Sequence, residues 1–145
     1  MTSRTILLVE YDVAERQRIG DLLERGGFTV MSCPGPGEPD YVCVGGRGLR
    51  CPLAEEADVI VLDMRLASDV MMRGTPAWEL LIYYMEHGRR IVAVSNSEDS
   101  VHPLSDDRVI AIRRPAVERS LIRAVRELLA RTPKEERHRG YHLAR

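Results

Sequence analysis

Three short runs of apolar, mostly branched residues restrict what this chain can fold into: Thr5-Ile6-Leu7-Leu8-Val9, Val59-Ile60-Val61-Leu62 and Ile91-Val92-Ala93-Val94. Each is too short for a helix. None alternates with polar residues as a strand with one wet face must. A continuous apolar strand is the mark of a parallel sheet covered on both faces. Two weaker runs, Phe28 to Met31 and Val109 to Ile112, bring the expected strands to five.

Helical patterns fall between them. From Ala14 to Arg25, Ile19, Leu22 and Leu23 share one stripe; Asp12 stands where an N-cap belongs, and Gly26-Gly27 stops the helix. Thr75-Pro76 opens a second helix, with Trp78, Leu81, Ile82 and Met85 on its apolar face and Gly88 at its end. After Pro115, the residues Val117, Leu121, Val125, Leu128 and Leu129 recur at helical spacing to about Ala130. Strands alternating with helices imply a doubly wound α/β fold: a five-stranded parallel sheet, right-handed crossovers, helices on both faces.

The alternation breaks once. Cys33 to Cys51 carries Pro34, Pro36 and Pro39 with Gly35, Gly37, Gly45, Gly46 and Gly48, a composition that cannot hold a long helix. The helix due after the second strand is therefore expected to be replaced or shortened by this Cys/Gly/Pro-rich loop, an irregular insert over 33–57. Pro103 limits any helix between Ser97 and Asp107 in the same way. The expected organisation is one domain over 1–131 and a charged C-terminal tail over 132–145.

Charge narrows the function classes. Arg and Lys number 21 against 22 Asp and Glu, a formal net charge of −1, so no overall field attracts nucleic acid or an anionic membrane. No apolar run approaches the ~20 residues that cross a bilayer. The N-terminus passes from Met-Thr-Ser-Arg straight into a strand without a secretory-signal pattern, so a cytoplasmic location is expected.

Ligands of an open parallel sheet gather at the carboxyl ends of its strands, near the point where strand order reverses. Here those ends are Glu10 and Asp12, Asp63, Ser95, and Arg113-Arg114-Pro115. Carboxylates suit a hard divalent ion such as magnesium, and a hydroxyl with a cation suits phosphoryl oxygens.

In this order, Ile6-Leu7-Leu8-Val9-Glu10, Val59-Ile60-Val61-Leu62-Asp63, Val92-Ala93-Val94-Ser95 and Arg114-Pro115 resemble the response-regulator receiver family of two-component signalling, from about Thr5 to Ala130. The resemblance implies a flavodoxin-like fold and a role in phosphorelay signal transduction without enzymatic turnover. It implies Asp63 as phosphoacceptor for a histidine kinase, Ser95 as the switch hydroxyl and Arg114 in the position of the family's lysine. It also implies magnesium held by Glu10, Asp63, the backbone carbonyl of Arg65 and, by substitution, Asp12. Output would pass through another signalling protein or a homodimer.

Two positions depart from the family pattern. Tyr11 stands where a second adjacent acid is usual, and a phenol is neutral near pH 7 and a poor magnesium ligand. Arg114 replaces a compact ammonium with a planar fork; Lys134 is the chain's single lysine, so coding bias accounts for the arginine without preserving the geometry. The chain thus resembles an atypical receiver, with a phosphate-independent pseudo-receiver acting as a protein-interaction module as the alternative. Simpler roles stand beside these: Asp12 as a helix cap, Asp63 as a solvated strand-end acid, Arg114 in surface ion pairs, Trp78 and Tyr83-Tyr84 as core and rim.

Cys33, Cys43 and Cys51 all fall in the insert, with nine and seven residues between neighbours. They suggest a third reading, a thiol or metal sensor. Zinc there would need a fourth ligand such as His102 or water, and no Cys-x-x-Cys hairpin is present. A flavin enzyme on the same fold would need a hydroxyl- and glycine-rich loop after the first strand; Glu10 and Asp12 would repel the flavin phosphate.

Overall fold

The computed structural model describes residues 3–35, 50–65, 76–95, 106–114 and 117–131. Its elements follow in the order β1 (Thr5–Val9), α1 (Val13–Arg25), β2 (Thr29–Cys33), α2 (Pro52–Glu56), β3 (Val59–Asp63), α3 (Pro76–Glu86), β4 (Ile91–Ser95), β5 (Val109–Arg113) and α4 (Val117–Ala130). All pairings are parallel, and the strand order is β2-β1-β3-β4-β5. The chain leaves β1 for one side of the sheet and β3 for the other, so the order reverses between these two strands.

Alternate residues of the continuous apolar strands feed two separate cores. Ile6, Leu8, Val59, Val61, Val92 and Val94 meet Ile19 and Leu23 of α1 and Leu121, Val125 and Leu128 of α4. Leu7, Val9, Ile60, Leu62, Ile91 and Ala93 meet Ala54 of α2 and Leu80, Leu81 and Tyr84 of α3. Every residue of β3 and β4 is buried, as strands covered on both faces must be.

The insert differs from the sequence expectation at both ends. β2 runs on to Cys33 instead of stopping at Met31, because each of its residues pairs with β1 up to Val9 opposite Cys33. At the far end a five-residue α2 forms with Pro52 in its first turn, where a missing N–H costs nothing. The second helix is therefore short, and within 33–57 the described residues hold strand at Cys33 and helix over Pro52–Glu56. Residues 36–49, with Cys43, lie outside the described residues, as do 96–105, with Pro103 and His102, and the tail from 132.

Candidate functional site

The parallel register fixes which side chains meet at the carboxyl rim. Val9 lies opposite Leu62, Asp63 opposite Val94, and Ser95 opposite Arg113. The next residues out are therefore Glu10, Asp63, Ser95 and Arg114. Glu10, Asp63 and Ser95 are 1%, 3% and 2% exposed, nearly complete burial for three polar side chains at strand ends.

Asp63 is held from two sides. Arg114 donates from Nη2 to its Oδ1 at 2.7 Å, and the backbone N–H of Arg65 donates to the same oxygen at 2.9 Å. The Arg65 guanidinium stands further off, with Nε at 3.6 Å. Glu10 faces Asp63 within hydrogen-bonding reach, and burial followed by that contact pushes its carboxyl up to about 8. The amide of Asp12 donates to Glu10 Oε2 at 3.2 Å, and Arg114 opposes the rise from a distance. Oε1 of Glu10 is buried with no hydrogen-bond donor among the described residues. Two ionised carboxylates have no proton to share, so this pair calls for a proton or a cation between them.

Asp12 does something else. Its carboxylate accepts from the Ala14 amide at 3.3 Å and caps α1, while the residue stays exposed. Tyr11 is 39% exposed at the rim. Among the described residues no three His, Cys, Asp or Glu side chains gather closely enough to hold a metal ion. Arg65 is at the site through its amide, one peptide unit from the carbonyl that the resemblance puts there.

Sequence reasoning missed Glu15. It sits on α1, and its Oε2 accepts from Nη1 of Arg114 at 2.8 Å, so one guanidinium bridges Glu15 and Asp63. Glu15 and Arg114 are 99 residues apart. In sequence Glu15 reads as an ordinary first-turn acid, and only its placement on the polar side of α1 facing the rim hints at more.

Of the cysteines, Cys33 is buried at the end of β2, where its carbonyl accepts from the Glu10 amide at 3.0 Å. Cys51 is half-buried ahead of α2, its amide donating to the Tyr83 hydroxyl at 3.0 Å. Among the described residues neither is joined in a disulfide. Trp78 packs partly buried against the core, and Tyr83 and Tyr84 are buried in it with their rings edge-on at 5.7 Å.

No helix among the described residues is long and apolar enough to cross a membrane. Comparison of the sequence with protein-family models finds no match, and comparison with curated proteins finds none. Comparison with solved structures does find matches. A response regulator receiver protein from Sinorhizobium medicae WSM419 is 20% identical, with 88% of this chain and 94% of that one covered at a TM-score of 0.60. A response regulator receiver domain protein from Clostridium thermocellum is 18% identical, with 87% and 94% covered at 0.63. A further receiver domain protein, from Methanospirillum hungatei JF-1, is 17% identical, with 95% and 99% covered at 0.61. The five-stranded, all-parallel flavodoxin-like architecture is the fold of these receiver domains.

Proposed function

We propose that the chain is a receiver module of response-regulator signalling whose Asp63 accepts a phosphoryl group. The observation that carries this is Asp63 itself, a nearly buried carboxylate at the end of the central strand, held by a guanidinium at 2.7 Å and facing a second acid. A buried acid in that company is costly for folding alone.

Transfer needs little from the protein beyond placement and charge. A lone pair on an Asp63 oxygen forms the new bond to phosphorus, and the bond from phosphorus to the donor's leaving group breaks with its electrons going to that group. The leaving group is an imidazole nitrogen for a phosphohistidine donor or acetate for acetyl phosphate. The Arg114 fork and the Arg65 amide, which both donate to Oδ1 of Asp63, would supply donors to the phosphoryl oxygens, with Ser95 at the neighbouring strand end. Glu10 and Asp63 fit magnesium: two hard carboxylates, one with an oxygen that has no donor among the described residues, would hold it with waters and the Arg65 carbonyl, and the ion would neutralise the charge the phosphoryl group brings. A kinase or another signalling protein is the corresponding partner.

A second reading rests on Tyr11. It offers the rim no second adjacent acid, and Asp12 is engaged as a cap, so the same fold would serve as a phosphate-independent interaction module. Incubation with magnesium and acetyl phosphate decides between them. The first reading expects a mass gain of one phosphoryl group that vanishes in Asp63→Asn. No gain under conditions that label an ordinary receiver removes it and leaves the second.

A further inference from the structure

We propose that Glu15 is the positioning residue for Arg114, and that with Arg18 it ties the charge on Asp63 to the seam between α1 and α4. The inference rests on reading Asp63 as the group whose charge changes. Two amino groups of one guanidinium serve two carboxylates on different elements: Nη2 of Arg114 goes to Asp63 at 2.7 Å and Nη1 to Glu15 at 2.8 Å. Both oxygens of Glu15 also accept from Arg18, Oε1 from Nε at 2.8 Å and Oε2 from Nη2 at 3.1 Å. The remaining nitrogen of Arg18, Nη1, reaches Oε1 of Glu118 in the first turn of α4 at 2.8 Å.

Asp63, Arg114, Glu15, Arg18 and Glu118 thus form a line of alternating sign running from the central strand across α1 to α4. Side-chain exposure rises along it, from 4% at Asp63 through 15% at Arg114 and 21% at Glu15 to 40% at Arg18 and 73% at Glu118. The inner pairs are poorly screened and the outer one is well screened. A change at the inner end therefore decides the arrangement, and the outer contact yields to it. The company of Arg18 first, then Arg114 and Arg65, holds the Glu15 carboxyl below its ordinary range, so it stays an anion while its partners shift.

The direction follows from the fork of Arg114. More charge at Asp63, with three phosphoryl oxygens, draws both amino groups of Arg114 inward. Glu15 then leans wholly on Arg18, and Arg18 lets Glu118 go. Removing the Asp63 charge does the reverse: Arg114 turns to Glu15, Arg18 is freed toward Glu118, and the seam tightens.

Amide hydrogen exchange across residues 117–124 of the full chain tests this, in wild type, Asp63→Asn, Glu15→Gln and the double variant. The expected result is exchange about twofold slower in Asp63→Asn, in keeping with an exposed ion pair, and no response to Asp63→Asn once Glu15 is Gln. Arg18→Gln, at a half-buried position, cuts the outer link and should also abolish the response if Glu15→Gln fails to fold. A response of equal size with and without Glu15 and Arg18, or none in the wild-type background, overturns the proposal. Acetyl phosphate treatment of the same samples separates the two readings. Failure to label with a Glu15-dependent response to Asp63→Asn leaves Glu15 in its role and removes the phosphoryl reading, whereas labelling without that response does the opposite.

Discussion

A carboxylic acid that water barely reaches, placed against another, resists ionisation, and Glu10 is in that position. Its folded pKa, about 8, lies above its ordinary value of 4.5. The native state therefore binds the extra proton between those values, and the stability this group contributes is present below the lower one and lost as pH climbs toward the upper. Glu15 and Asp106, both shifted down, act in the opposite sense: their contributions are present above the ordinary carboxylate range and are lost as acid protonates them. In thermal melts between about pH 5 and 8, outside that acid limb, Tm should fall by roughly a few degrees as pH rises, and Glu10→Gln should flatten the slope. An unchanged slope in the variant would mean that Glu10 ionises freely. Arg114→Met should cost about 2–3 kcal/mol in denaturant unfolding by stranding Asp63 beside Glu10, and Asp63→Asn in the same background should recover most of the loss.

The elements differ in how far sequence determined them. β1, β3 and β4 were legible because Ile6 to Val9, Val59 to Leu62 and Ile91 to Val94 are apolar without a break, which leaves a two-sided buried strand as the only short element that fits. The sequence signal for β2 ends short of the strand itself, because Ser32 and Cys33 carry none of their own and are strand only through pairing with Leu8 and Val9. α2 was hidden because five residues opening on Pro52 show no periodicity; Ala54 and Leu53 make it a helix by packing on the core. The same limit explains the site. Glu10, Asp63 and Ser95 were legible as strand ends, whereas Glu15 belongs to the site only through a contact with Arg114 across two elements. Asp12 was legible as a cap, and it can be tested as one: Asp12→Ala should lose about 1 kcal/mol of stability through fraying of α1. If phosphoryl labelling of Asp63 survives that change, its metal-ligand role is excluded.

At the scale of the whole molecule, the described residues form a sheet between two cores, with α1 and α4 on one and α2 and α3 on the other. The two layers are unequal: α4 spans fourteen residues and α2 five. Leu121, wholly buried among Ile19, Leu23 and the inward residues of β3 and β4, is a central contact of the longer-helix layer. Leu121→Ala should cost about 3 kcal/mol of global unfolding free energy, read as a shift in denaturant midpoint with an unchanged slope. Core positions of this kind tolerate little change, which is the usual link between burial and sensitivity. Glu10 breaks that link, because a buried oxygen with no donor among the described residues weighs against folding at neutral pH. In a saturation library scored only by folding yield, neutral replacements of Glu10 should therefore rank among the gains while its apolar neighbours rank among the losses. Such an inversion at one buried position is how a selected activity shows itself in a map that measures no activity at all.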